Sequence, residues 1–393
     1  MTRTAVPISG VGCISAAGPS LEACCASMFQ GGRAPAPPTR FASSHGVAYP
    51  VFEIVDFQEP PDTLRTTALL LRAAGEALAD AGLDRKRLAS LRVGACVGTT
   101  VGGALNDEPF CREFRAGGRP AMAPMDRILR GNPAAALARA YGLTGPCQTI
   151  VNACSSGTDA VGLGASWIEA GLCDLVLAGG TDDLGRITYN GFISMHIYAP
   201  RPCRPFDRDR EGLNLGEGAA VLVLEAPELL RRRRGRARSF VLGYGSSCDA
   251  YHPTAPSPDG AGLERAVREA LAAGGIAPSQ VAFVNAHGTA TPDNDLVEAQ
   301  VLGRTLPGVP FLSTKGYTGH TLGAAGAIEA AFTVACLELG RIPASQGFAT
   351  ADPALGAEPV REAGAVRGTV ALSQSLAFGG NNAVLALGLE ARP

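Results

Sequence analysis

The feature that most constrains the fold of this chain is a faint internal duplication. Glu76-Ala-Leu-Ala-Asp-Ala-Gly-Leu83 recurs as Glu269-Ala-Leu-Ala-Ala-Gly-Gly-Ile276, each closing a helical pattern and each followed by a polar turn and an apolar strand, Val93–Val97 and Val281–Asn285. A second echo pairs 213–225 with 376–387, two Gly-rich turns that lead into strands. Two related halves joined near residue 240 are the simplest account, giving domains 1–240 and 241–393. Short apolar runs alternate with Ala-rich helical stretches in each half, the pattern of buried sheets covered by helices, so the fold class is α/β. Leu175–Ala178 is short and continuous, as a strand buried on both faces should be. Thr158 to Gly171 is apolar nearly all round and predicts a buried helix; Gly316 to Leu339 reads likewise and is its counterpart in the second half.

The balance of residues supports an extensive interior. Of 393 residues, 46 % are hydrophobic and only 18 % charged, enough apolar surface for a large core. A net charge of -2 points away from nucleic acid and anionic membranes as partners. The run Arg231 to Arg238 carries six arginines; without interleaved aromatics it reads as a solvated connector rather than a polyanion or carrier site. Met1 to Gly18 resembles a signal peptide only superficially, because Pro7, Ser9, Gly10 and Gly12 break its apolar run; Ala5 to Ile8 reads as a first strand. No membrane span is expected. The 11 cysteines, odd in number, irregularly spaced and without CxxC pairs, argue for a reducing compartment, hence the cytoplasm, and against a disulfide or zinc framework.

Three residues in similar Gly-rich frames carry the chemistry. Cys154 sits in Asn152-Ala-Cys-Ser-Ser-Gly157, a small-residue turn entering a predicted helix, where backbone N–H groups and the helix dipole should lower its thiol pKa. His287 follows a predicted buried strand, and His320 stands at the entrance to an Ala/Gly-rich helix. Only Lys86 and Lys315 are lysines among 34 basic residues. Lys315 lies five residues before His320, where a compact ammonium suits better than a guanidinium. Taken singly, each of these reads as a structural core residue. Zinc could take one Cys and two His, yet no ligand pair has the short spacing usual for zinc and no acidic helper cluster accompanies them. A cysteine protease would leave the second histidine and the lysine unused. Acyl transfer followed by carbon–carbon bond formation uses all the parts: a thiolate accepts an acyl group, two imidazole N–H groups stabilise the enolate of a decarboxylating malonyl thioester, and Gly-rich turns such as Phe378-Gly-Gly-Asn-Asn382 bring backbone N–H groups to a reacting carbonyl.

Across essentially its whole length the chain resembles the condensing enzymes of the thiolase superfamily, in particular beta-ketoacyl-acyl carrier protein synthases of the elongating Cys-His-His type. The resemblance rests on 152–157, 204–212, Gly216-Glu-Gly218, 287–295, Lys315-Gly-Tyr-Thr-Gly-His320, 323–329 and 378–382. It implies a five-layered αβαβα fold of two duplicated halves, usually dimeric. It also implies decarboxylative Claisen condensation with malonyl-acyl carrier protein in fatty-acid or aryl-polyene/polyketide elongation. Cys154 would be the acyl-accepting nucleophile, the N–H groups of Cys154 and Phe378 the oxyanion hole, and Phe378 a gate as well. His287 and His320 would bind the malonyl thioester carbonyl, and Lys315 would pair with Glu329 and orient the histidine region. Thr289 and Thr291 would contact the phosphopantetheine arm, with Asp295 and Glu298 as supports. The implied partners are acyl carrier protein and a second synthase-like chain, as homodimer or as heterodimer with a chain-length factor; no cofactor beyond the carrier-borne phosphopantetheine and no metal are implied. The departures are Ser375-Leu-Ala before Phe378, the Gly316-Tyr317 pair, and Tyr189 to Tyr198, which walls the acyl pocket in the family. They lean toward a specialised pathway and a rigid unsaturated chain. A chain-length-factor-like subunit is the alternative reading, against which stands the retention of Cys154; a thiolase would want a second cysteine and an initiating synthase an asparagine in place of His320.

Overall fold

A computed structural model describes residues 5–391, which leaves Met1 to Thr4 of the signal-like stretch, and the last two residues of the second half, outside the described residues. Ten strands form one continuous sheet that divides into two half-sheets of the same topology. The first half contains β1 (Val6–Ser15), β2 (Val93–Gly98), β3 (Cys147–Ile150), β4 (Leu175–Asp182) and β5 (Gly218–Glu225). The second contains β6 (Ser239–Cys248), β7 (Val281–Asn285), β8 (Phe311–Leu312), β9 (Val370–Ala377) and β10 (Asn381–Gly388). From the middle outward the order is β1-β5-β4-β2-β3 on one side and β6-β10-β9-β7-β8 on the other. The first two pairings in each half are antiparallel and the next two parallel. The halves join where β1 runs antiparallel to β6 through Val6↔Val241, Pro7↔Phe240 and Ile8↔Ser239. The second echo in the sequence marks β5 and β10, equivalent strands.

The first echo marks equivalent helices. The helix α1 (Arg65–Asp80) packs on β1 and β5; α2 (Ser156–Glu169) lies at the centre; α3 (Ala261–Ala273) packs on β6 and β10, with α4 (Pro292–Thr305) against it; and α5 (Ala325–Leu339) lies beside α2 at the centre. The layers are therefore α1, half-sheet, α2 with α5, half-sheet, and α3 with α4. Glycine makes the outer contacts close: a Cβ on Gly10 or Gly12 of β1 would fall 2.1 or 2.0 Å from Ala77 O or Ala73 O of α1, and on Gly243 or Gly245 of β6 2.1 Å from Ala270 O or Ala266 O of α3. The first strand of each half thus carries Gly-x-Gly so that a helix backbone can lie on it.

The central helices differ from the sequence expectation at their starts. α2 begins at Ser156, two residues before the expected Thr158, and Ser155 is its N-cap. Gly316 to Leu339 is not one helix: Lys315–Thr318 forms a single turn, Gly319 at φ 65° and Leu322 at φ 53° break the path, and α5 starts only at Ala325. That break turns His320 out of the helix and into the interior. The window Leu322–Leu339 is long and apolar enough to cross a membrane, but 89 % of it is buried between the two half-sheets, as a core helix of this fold should be. All 11 cysteines are free. Within the arginine run, Arg233 pairs with buried Glu225, and Arg238 bridges Asp80 and Glu338, so part of that connector is tied inward.

Candidate active site

The loops after β3, β7, β8 and β9 meet at one end of the central helices. Ala153 adopts φ 47°, a left-handed conformation that a residue with a Cβ adopts only under constraint, and this kink presents Cys154 just ahead of α2. Cys154 is 5 % exposed. Burial pushes its pKa up, to about 11, against the pull of the Lys315 ammonium and of a hydrogen bond from the Phe378 backbone N–H. The direction is opposite to the lowered thiol pKa expected from the helix start: desolvation in a closed pocket outweighs the Lys315 charge and the Phe378 N–H.

His320 Nε2 lies 3.1 Å from Cys154 Sγ. Its Nδ1 accepts the backbone N–H of Leu322 at 3.2 Å, which leaves the proton of the neutral ring on Nε2, facing the sulfur. His287 is fixed the same way. Its Nδ1 lies 3.0 Å from Lys315 Nζ, an ammonium that can only donate, so its Nε2 also carries the proton. The rings meet edge to face, centroids 5.2 Å apart. Burial, and then the Lys315 charge, hold both imidazoles well below their usual pKa, so both are neutral donors near pH 7.

Lys315 also donates to His287 O at 2.6 Å and forms a buried ion pair with Glu329. Burial raises Glu329 to about 7 while Lys315 pulls it back, and its second oxygen has no partner. Glu298 accepts the backbone N–H groups of His287 and Gly288 at 2.6 and 2.7 Å and the side-chain amide of Gln374 at 2.6 Å; burial raises it to about 7. Asp295, raised by burial, accepts N–H groups from Phe206 at 2.6 Å and from Ala290. These two carboxyls from α4 clamp the His287 loop. Thr289 and Thr291 hydroxyls are 2.8 Å apart and line, with Cys154, both histidines and Phe378, a cavity of about 310 Å³. The Phe378 ring stacks on Phe192, centroids 5.6 Å apart, on the same cavity wall.

The segment from Tyr189 to Tyr198 reaches the cavity with its middle residues and not with its ends. Tyr189 and Tyr198 do not face the cavity; they are buried in an aromatic cluster with Phe41 and Tyr49, their hydroxyls bound to the carbonyls of Tyr49 and Pro50. From that segment Phe192, His196 and Ile197 line it instead. Sequence reading did not reach Asp182 either. This buried carboxylate accepts from Thr99 Oγ1 and the backbone of Thr100, Val101 and Gly323 at 2.7 to 3.1 Å, locking the loop after β2 to the turn after His320. The Asp182-Asp183 pair closing an apolar strand carries no sequence signal for that role.

One ligand atom from each of Cys154, His287 and His320 lies within 4.8 Å of the others, close enough for one metal ion. A metal at both Nε2 atoms would force the ring protons onto Nδ1, where the Leu322 N–H and the Lys315 ammonium already point. The donor set therefore fits two N–H groups aimed at an oxygen better than it fits a cation. A larger cleft of about 1050 Å³ lies far from these residues, between the helix Leu21–Phe29 and α1; its one thiol, Cys25, is pushed up to about 12 by burial, and it holds no histidine.

Comparison with known proteins gives this constellation its family. The beta-ketoacyl synthase N-terminal domain profile matches residues 3–228 and the C-terminal domain profile residues 238–349. A 3-oxoacyl-(acyl-carrier-protein) synthase 2 of Synechocystis is 33 % identical over 98 % of both chains, and one of Staphylococcus aureus is 34 % identical over 84 % of this chain and 85 % of its own. Among solved structures, the ishigamide ketosynthase/chain length factor superposes with a TM-score of 0.94 at 33 % identity, covering 99 % of this chain and all of that one. The Xenorhabdus doucetiae ketosynthase ApeO in complex with its chain length factor ApeC gives 0.85 at 30 % identity over 98 % of both. Matching profiles over both halves, relatives aligned nearly end to end and one shared five-layered fold lead to a single conclusion: this chain belongs to the beta-ketoacyl synthase family.

Proposed function

We propose that this chain is an active beta-ketoacyl-acyl carrier protein synthase that joins a Cys154-bound acyl group to malonyl-acyl carrier protein with loss of carbon dioxide. The observation that carries the reading is the convergence of two neutral imidazoles, each holding its proton on Nε2, beside a thiol at the mouth of a buried helix. In the first step the Cys154 sulfur attacks the carrier thioester. Its new C–S bond replaces the carrier's, and the thiol proton ends on the departing carrier thiolate. The thiolate character needed in passing is supported by His320 Nε2–H, the Phe378 N–H and the Lys315 charge, which matters because the resting thiol lies near 11. In the second step the malonyl carboxylate leaves as carbon dioxide, and its bonding pair becomes an enolate whose oxygen accepts from His287 and His320. The enolate carbon then attacks the acyl carbonyl; the N–H groups of Cys154 and Phe378 hold the resulting oxyanion, and collapse expels Cys154 as a thiolate, which regains its proton from water.

Lys315 positions His287 and compensates Glu329, while Asp295 and Glu298 hold the loop. Thr289 and Thr291 contact the phosphopantetheine arm, and Phe378 moves against Phe192 to admit the acyl chain. No metal and no free cofactor enter the cycle. The chain divides near residue 240, where β6 opens the second half, into a half that carries the nucleophile and a half that carries the histidines. It works in the cytoplasm with acyl carrier protein and as a dimer, with itself or with a chain-length-factor-like homologue. The solvent-facing edge of β3, where Cys147 and Gln148 are exposed and Val151 follows at 68 % exposure, is a strand edge that wants covering. The match to ketosynthases that pair with chain length factors favours a specialised polyene or polyketide pathway. A chain-length-factor-like role with little activity of its own is the competing reading. Intact-protein mass after incubation with acyl carriers decides between them: an acyl adduct on Cys154 that disappears on adding malonyl carrier, with a lengthened 3-oxo product, is expected. No adduct from any acyl donor would overturn the catalytic reading.

A further inference from the structure

One buried carboxylate beside the nucleophile has no part in the steps above. Asp159, in the first turn of α2, is 7 % exposed and accepts three hydrogen bonds. Asn152 Nδ2 at 2.6 Å and Ser155 Oγ at 2.8 Å bind its Oδ2, and the Tyr244 hydroxyl at 2.7 Å binds its Oδ1. Asn152 and Ser155 flank the Ala153-Cys154 pair, and Ala153 is the residue forced to φ 47°. Such a backbone persists only where its surroundings over-determine it. Ser156 contributes bonds to Asn152 N and Ala153 O from within the same turn, Thr100 Oγ1 binds Ala153 O at 3.2 Å from the loop after β2, and Asp159 ties the two residues flanking the Ala153-Cys154 pair to a further element. That element is β6, the first strand of the second half, from which Tyr244 reaches across. Burial and the Asp159 charge raise the phenol above its ordinary value, so it stays a donor throughout the working range.

We propose that Asp159 is a positioning residue that aims the Cys154 sulfur for acyl transfer, anchored in the other half by Tyr244. The inference rests on the synthase reading, and it assigns Asp159 to one of the two partial reactions. Its carboxylate touches the turn that carries the sulfur; the imidazoles that hold the malonyl enolate are fixed separately, by Lys315 and the Leu322 N–H. A change at Asp159 therefore separates acylation from decarboxylation, which a general loss of folding does not do.

The test uses the full chain with D159N, Y244F and the exchange variant N152D/D159N. Two quantities are measured: the rate of Cys154 carbamidomethylation by iodoacetamide, located by mass, and carbon dioxide release from malonyl-acyl carrier protein. In D159N the amide keeps an acceptor on one side only, so its NH2 faces either Asn152 Nδ2 and Ser155 Oγ or the Tyr244 hydroxyl, and the carboxylate charge is lost in both orientations. Alkylation and acyl transfer are expected to fall about tenfold or more, from the loss of a charge-assisted hydrogen bond, with carbon dioxide release within about twofold of wild type. Y244F, which loses one neutral donor, should cost about threefold in alkylation. N152D/D159N restores a donor facing an acceptor and should recover most of the lost rate. Wild-type alkylation in D159N overturns the proposal, as does an equal loss of both activities that the exchange leaves unrestored. Failure of the underlying reading looks different: the wild-type chain would then neither take an acyl group from any carrier nor release carbon dioxide, while the alkylation contrast would still be measurable.

Discussion

The two halves share one strand order and one set of pairings, yet they load the loops at their shared end differently. After the third strand of each comes the turn that enters a central helix: β3 leads through Cys154 into α2, and β8 leads through Lys315 and His320 into α5. Equivalent places in the duplicated fold thus supply the sulfur and the imidazole that lie 3.1 Å apart. After the second strand the halves diverge. The loop after β7 delivers His287, whereas the loop after β2 offers only threonine and backbone, gathered onto Asp182. Between the fourth and fifth strands the first half inserts residues 183–217, including the helix Arg186–Ser194 that brings Phe192 to the cavity; the second half closes β9 to β10 with the tight Phe378-Gly379-Gly380 turn. Duplication explains where these side chains meet, and the divergence of the loops gives each half a different set of groups for the proposed division between acyl group and extender.

The sharpest way to break that division of labour is to remove the nucleophile. Cys154→Ala should lower condensation by about 10⁴-fold or more, as loss of a nucleophile does elsewhere. Malonyl decarboxylation, assigned to groups of the second half, should persist, and paired assays of ketoacyl product and carbon dioxide will show it. Loss of both activities together would mean that the halves do not act separately.

Removing the imidazoles is the reciprocal experiment. His287→Ala and His320→Ala should each cost about 10²- to 10³-fold in decarboxylation, the usual loss for one oxyanion donor, while Cys154 still takes an acyl group in His287→Ala. The pH dependence carries a sign. Both imidazoles sit well below the ordinary 6.5 because of burial first and Lys315 second, so they stay neutral as pH falls through 6.5, and decarboxylation should remain level there. The unfolded chain, in contrast, binds protons at these rings below 6.5, so their contribution to stability is present above that value and declines beneath it. Lys315→Met removes one depressing charge and the donor that fixes the His287 tautomer. Its decarboxylation rate should drop about 10²-fold and its acid limb should move up toward 6.5; an unchanged acid limb would remove Lys315 from the electrostatic account.

How much of this was legible beforehand follows the same division. The duplicated fold was readable because the helix-end and strand echoes repeat in sequence, and they mark α1 and α3, β5 and β10, in equivalent places. Cys154, His287, His320 and Lys315 were visible because Gly-rich frames and the scarcity of lysine single them out. What sequence could not convey is the balance of burial against charge. Helix position suggested a lowered thiol pKa, and only the closed pocket shows desolvation winning. Breaks in the path after Lys315 were hidden too, because Leu322 at φ 53° is not a residue type that announces a turn. Asp159, Asp182 and Tyr244 act across long separations, between elements whose neighbourhood only the fold defines.

The close outer packing gives a smaller and more symmetrical test. Gly12→Ala in β1 and Gly245→Ala in β6 each push a methyl to within 2.0 or 2.1 Å of a helix carbonyl oxygen, so each should destabilise its half by about 1–3 kcal/mol through forced backbone movement. Equal losses in denaturant midpoint would show that both halves depend on the same contact to the same degree. A loss confined to one would show where the duplicated architecture has relaxed.

The smallest expected effect lies at the entrance. Thr289 and Thr291 hydroxyls bond to each other at 2.8 Å across the cavity wall, and each retains capacity for a further hydrogen bond. In the proposed cycle that capacity serves the amides of the phosphopantetheine arm, which is common to the acyl and the malonyl substrates. Thr289→Val and Thr291→Val keep the shape and remove only the hydroxyl. Each should raise KM for carrier-bound substrate by about three- to tenfold, the worth of one neutral hydrogen bond, with kcat nearly unchanged because the contact is equal in ground and transition states. Both partial reactions should suffer alike, unlike Cys154→Ala or His287→Ala, because the arm enters by the same route in each. A Thr→Val variant that impaired only one partial reaction would show that the two carriers are held differently, and that the two halves divide the binding of substrates as well as their chemistry.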